Sequence, residues 1–137
     1  MSVIVTDTGF TNDDWTAGFG TLADLDTAPQ MQAVDLVNTD DPSRLSNRLA
    51  DITLIRIAFP AFSDGRGFTL ARRLRAMGYT GRLRAHGPVI ADQYAMFRRT
   101  GFDEVEIPDD LALRQPQDQW QFRANWRAHD YQSHLRA

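Results

Sequence analysis

The chain has no cysteine and no lysine. Without cysteine it can supply no disulfide, no thiol nucleophile and no cysteine ligand to zinc or an iron–sulfur cluster. Without lysine it has no Schiff-base amine and no Walker-A phosphate clamp. Long apolar runs are also missing: nothing approaches the about 20 residues that a membrane-spanning helix needs. The opening MSVIVTDTGF lacks the basic start and long apolar run of a signal peptide. These absences predict a soluble, cytoplasmic protein. Histidine is scarce, and His129 and His134 stand five apart with no third ligand nearby, so no metal site is predicted.

All fifteen basic residues are arginine, and their placement is uneven. Residues 1–43 carry eight acids and no base, and residues 44–99 carry eleven arginines against three acids. Residues 100–137 carry seven acids against four arginines. The acidic ends are therefore expected to lie against the basic middle, with an external anionic partner as the alternative. Nucleic acid is not expected, because the chain is acidic overall and lacks an aromatic–basic motif.

At 137 residues the chain should form a single α/β domain, large enough to bury about two-thirds of its unfolded surface. Its parts are an acidic N-terminal stretch (1–43), a core (52–107) and a helical tail (116–135). Ser2–Thr6 and Gln32–Val37 have the composition of strands, while Thr11–Ala28 holds Gly18, Gly20 and no helical period, so it reads as loop. Asp41 and Pro42 predict a helix start, with Leu45 and Leu49 four apart. Ile52–Pro60, Gly81–Gly87 and Phe102–Pro108 read as strands. Thr69–Met77 and Val89–Thr100 read as the helices between them, stopped by Gly78 and Gly101. In the tail, Trp120, Trp126 and Tyr131 are expected as apolar anchors. The result is a parallel βαβαβ core with both crossover helices on one side, to which N-terminal strands and a C-terminal helix are added. A half-barrel-like β/α arrangement is the alternative.

Side chains alternate along a strand. That parity puts Arg56, Arg84 and His86 on one face, with Glu104 and Glu106 one strand away. A covered parallel strand is normally apolar throughout, so this face is either a set of cross-strand ion pairs or the polar floor of a ligand pocket.

The second unusual feature is the turn Ser63-Asp64-Gly65-Arg66-Gly67, which leaves a strand and enters a helix with Thr69 as candidate cap. Glycines beside a helix start allow an anion to approach, and Arg66 offers it a forked contact. The next strand ends at His86-Gly87 on the same edge of the sheet, where open α/β folds bind ligands. Asp64, Gly65, Arg66, Gly67, Thr69, Arg84, His86, Asp92 and Gln93 are thus the candidate anion-binding residues. The other reading is a structural turn in which Arg66 pairs with a carboxylate. No G-x-G-x-x-G fingerprint or nucleophile constellation accompanies it, so no catalytic residue or cofactor is named.

The segment also carries a pattern: Phe59-Pro60, Phe62, Asp64-Gly65-Arg66-Gly67, Phe68-Thr69, Ala71-Arg72 and Leu74-Arg75. Gly78-Tyr79, Gly81, Leu83-Arg84-Ala85, Gly87, Asp92-Gln93 and Gly101-Phe102-Asp103 continue it, with Trp15 and Tyr131-Gln132 as outer markers. In these residues the chain resembles the bacterial domain-of-unknown-function family nine-hundred-thirty-four. The resemblance implies a gene beside those of sulfite reductase, and so a role in assimilatory sulfate reduction and cysteine biosynthesis; some members are labelled oxidoreductases. It brings no established active site. Thr100 stands where many members have cysteine, which argues against an essential thiol there, and Arg82 replaces a usual glutamate.

Two functions are therefore expected. One is an accessory protein that binds a sulfite-reductase component. The alternative is a small oxidoreductase or oxyanion-binding enzyme using the Asp64–Arg66 loop and His86. Either leaves a homo-oligomer open, and neither requires a membrane.

Overall fold

The computed structural model describes residues 2–124, apart from 26, 29 and 62, with 121–124 described by backbone alone. Six strands, β1 (Ser2–Thr6), β2 (Gly9–Thr11), β3 (Ala33–Leu36), β4 (Leu54–Ala58), β5 (Arg82–His86) and β6 (Glu104–Pro108), form one sheet. Its spatial order is β2-β1-β6-β5-β4-β3. Strands β3 to β6 are parallel; β1 is antiparallel to both β6 and β2. The expected parallel core β4-β5-β6 is present, with α1 (Arg66–Ala76) and α2 (Tyr94–Thr100) as its crossovers.

Both helices pack on the face that carries Ile55, Ile57, Leu83, Ala85, Val105 and Ile107, all fully buried. Leu70, Ala71 and Leu74 of α1 and Tyr94 and Phe97 of α2 close that core. Phe59 sits at its centre, edge-on to Phe68, Phe97 and Phe102 with ring centroids 5.0–5.7 Å apart. The short helices α3 (Asp109–Arg114) and α4 (Gln117–Ala124) follow β6. Trp120 of α4 is buried against Tyr94 and donates from Nε1 to the Gln115 carbonyl. Trp126, His129, Tyr131, Gln132 and His134 lie outside the described residues.

Three sequence expectations need correction. Helix α1 begins at Arg66, not Thr69, because Gly65 takes the N-cap position and the Asp64 carboxylate accepts the Arg66 N–H. Thr69 is an exposed residue inside the helix and caps nothing. The segment after Asp41 is two 3₁₀ turns, Pro42–Leu45 and Leu49–Asp51, although Asp41 does cap the first by accepting from the Ser43 N–H. Ser43 also spends its hydroxyl on Asp41, a local bond that competes with helix propagation. The helix expected from Val89 opens as a 3₁₀ turn, Ala91–Gln93, because side chains take its first donors: Gln93 accepts from Ile90 N–H and Gln115 from Ala91 N–H.

Candidate functional site

The alternation of β4, β5 and β6 places Arg56, Arg84, Glu104 and Glu106 on the face opposite α1 and α2, where they contact one another. Arg84 is 0% exposed. Its Nε donates to Glu104 at 2.6 Å and its Nη1 to Glu106 at 3.0 Å. Arg56 reaches over β5 to Glu106 at 3.0 Å while gripping Asp35 of β3 with Nε and Nη2. Glu106 also accepts from the Ser2 hydroxyl at 3.1 Å and pairs with His86 Nε2 at 3.3 Å. Burial pushes the Glu106 carboxyl up, but His86, Arg56 and Arg84 outweigh it and hold it below the usual range.

This face is partly covered, with a cavity of ≈ 420 Å³ left beside Ile4, Thr11, Asp14, Arg82 and Glu104. The segment 12–20 crosses it as a strap. Asp13 accepts from Arg84 Nη1 at 3.1 Å, Asp14 accepts from Arg82 at 2.9 and 3.2 Å, and the Phe19 ring lies 3.8 Å from the Arg56 guanidinium. The acidic N-terminal stretch does lie against the basic middle. The Arg82 bond, together with its charge, lowers the Asp14 carboxyl. Asp7 binds Tyr94 and Arg98, and Asp41 binds Arg73. Sequence reasoning missed Asp13, Asp14, Phe19 and Asp35 as members of the face. Asp35 shares the parity of Arg56 in a neighbouring strand, a signal that could have found it. The strap has no period from which its targets could be read.

The Asp64–Arg66 turn lies at the C-terminal end of β4. Arg66 is 62% exposed and folds back on Asp64 through Nε at 3.1 Å and Nη2 at 2.8 Å, while Asn38 donates to the same carboxylate at 2.6 Å. These bonds, led by the Arg66 side chain, hold the Asp64 carboxyl at about 2. The two glycines do different work from that expected. A Cβ on Gly67 would stand 2.5 Å from the Phe59 ring, so Gly67 lets the helix settle on the aromatic core. Gly65 has φ −91 and space beside it, and serves as N-cap.

Among the described residues the candidates bond in three sets. Asp64 and Arg66 hold each other with Asn38; Arg84 and His86 meet on Glu106; Gln93 caps the turn that also contains exposed Asp92. A cavity of ≈ 570 Å³ opens at the other end of the parallel strands, beside Ile52, Thr53, Thr80, Arg82 and Asp103. Among the described residues no His, Asp and Glu cluster is arranged to hold a metal ion.

Arg66→Ala should return the Asp64 carboxyl towards the ordinary range, readable by NMR titration. The sign follows from linkage: a lowered folded-state pKa gives stability that is present above the unfolded value of about 4 and lost as pH falls towards 2. The parent should therefore lose this contribution between about pH 4 and pH 2, and the variant should lack that increment of acid sensitivity. Matching Asp64 titrations in the two proteins would overturn the assignment.

Together these features define an open α/β domain with an ion-pair lattice on one sheet face and a helical layer on the other. The chain belongs to the family described as bacterial protein of unknown function, DUF934, which it matches over residues 33–137. Trp15 lies before the matched span. No curated protein and no solved structure matches the chain.

Proposed function

We propose that this protein supports sulfite reduction in the cytoplasm by binding a sulfite-reductase component, without chemistry of its own. The pathway comes from the family resemblance. The carrying observation is a division among the arginines. Those on the sheet face are neutralised internally, and of the six on α1 and α2 so are Arg66, Arg75 and Arg98, which pair with Asp64, Asp103 and Asp7. Arg72 and Arg99 are exposed and make no ion pair among the described residues, and Arg73 has only a surface pair with Asp41. Such a surface favours an acidic partner and steers it at low salt. Asp64, the carboxylate of the suggested catalytic loop, is held near 2 by Arg66, which makes it a weak base at neutral pH.

A second reading, an oxyanion-binding enzyme, draws on His86, 42% exposed and held by Glu106 at the sheet edge. One experiment separates the two. Tagged protein captured from its host at low salt should bring down a sulfite-reductase component, and deletion should slow growth on sulfate but not on cysteine. Normal growth on sulfate with no such component captured would overturn the proposal. Turnover of a small substrate by the pure protein would favour the second reading.

A further inference from the structure

The strap leaves β2 at one edge of the sheet and ends at the other. There, Gly20 N–H donates to Ala33 O at 2.9 Å and Asp35 N–H donates to Gly20 O at 2.7 Å, along the outer edge of β3. Six strands at about 4.8 Å spacing are roughly 24 Å across, and nine extended residues reach about 30 Å. The strap is therefore long enough to cross the face, with a bend before Gly18, whose φ is +78.

Its contacts have one theme. Asp13 meets Arg84, Asp14 meets Arg82, and the ring of Phe19 stacks on Arg56. The fit to Arg84 is incomplete: its Nη2 is buried with no hydrogen bond, and Asp14 stands 3.6 Å from it while 66% exposed. A guanidinium fork suits a carboxylate that bonds both arms, so a better-seated acid than Asp14 has something to gain. Beneath the strap, Arg56, Arg82 and Arg84 face Asp35, Glu104 and Glu106, three charges against three. Exchanging the strap's two acids for two acids of another segment leaves the charge balance unchanged. The three arginines and three acids of the face lie within the span matched to the family, and the strap precedes it.

We infer that this face is a peptide-recognition surface and that the strap is its resident internal ligand. The external ligand is an acidic segment of another protein: two adjacent carboxylates for Arg82 and Arg84, then an aromatic ring five residues on for Arg56. The surface is on the opposite side of the sheet from the arginines of α1 and α2, so the inference stands apart from the function proposed above.

A labelled peptide with the sequence of residues 10–20, FTNDDWTAGFG, tests this by fluorescence anisotropy against the full-length protein. The tethered strap competes at an effective concentration in the millimolar range, so the parent should bind weakly. The double variant Asp13→Asn, Asp14→Asn weakens the competitor and should bind the peptide at least about tenfold tighter. A peptide with both aspartates changed to asparagine should lose that gain. Phe19→Ala, which keeps both acid–arginine pairs, should give a smaller gain and serves if circular dichroism shows the double variant unfolded. Folded variants that bind no tighter than the parent would overturn the inference, as would an asparagine peptide that binds equally well.

Discussion

Replacing Glu106 with alanine is expected to cost about 3–5 kcal/mol, the range for leaving a buried charge without its partner. Typical domains have only about 5–15 kcal/mol to lose. Glu106 is 4% exposed and gathers Arg56, Arg84, Ser2 and His86. Removing it leaves the Arg84 guanidinium, fully buried in the parent, short of one carboxylate. Urea unfolding followed by circular dichroism reads the loss as a fall in midpoint. Glu106→Gln, which keeps the volume and one acceptor, should fall between parent and alanine variant. Arg73→Ala, which breaks only the exposed pair with Asp41, should leave the midpoint near the parent's. An alanine variant at Glu106 within about 1 kcal/mol of the parent would mean that the lattice does not hold the sheet face together. The pH dependence has a definite sign. Because the carboxyl of Glu106 is held below its ordinary value, its contribution is present above the unfolded pKa of about 4.3 and is lost as pH falls through the lowered one.

Gly87→Ala is expected to be the most damaging change of a glycine. Gly87 has φ +148, where an L side chain is strained, and an added Cβ would overlap the Phe59 carbonyl oxygen. Neither neighbour can yield freely. Phe59 N–H donates to the His86 carbonyl at 2.7 Å, Gly87 N–H donates to the Glu106 carbonyl at 3.1 Å, and the Phe59 ring is locked among three others. Backbone strain of this kind costs about 1–3 kcal/mol, and the overlap adds to it, for a total of about 3 kcal/mol or more. For a chain of this size that is a drop of roughly 10 °C in Tm, measurable by differential scanning calorimetry. A Tm within about 2 °C of the parent would show that β4 and β5 can separate at this end without penalty.

Much of this was legible in the strands. Parity alone put Arg56, Arg84, Glu104 and Glu106 on one face, because alternation is a property of the extended chain and survives any packing. The crossover order followed from short connections and right-handed geometry. What failed was local or remote. The first turn of α1 hinges on the Asp64 side chain accepting a backbone N–H, and composition alone does not show which of Asp64 or Thr69 does so. Gly67 looked like room for an anion, yet it faces Phe59, eight residues earlier in the chain and on the other side of the turn. Asp13 and Asp14 were visible as acids in a base-free stretch. Their targets lie some seventy residues away, and an aperiodic segment carries no register to reveal them.

The strap also imposes an order of assembly. It is anchored through β1, whose neighbours are β2 and β6, and the pairing of Ser2 with Pro108 joins the first strand to the last. Strands β3 to β6 need only local crossovers to meet, whereas β1 has no sheet to join until β6 exists. During synthesis β1 precedes β6 by nearly a hundred residues. Long-range pairings of this kind are expected to close late, so Arg56, Arg82 and Arg84 should lack the strap's cover until then. The strap is made before the face that it covers, and its anchor strand pairs only after that face has its last strand.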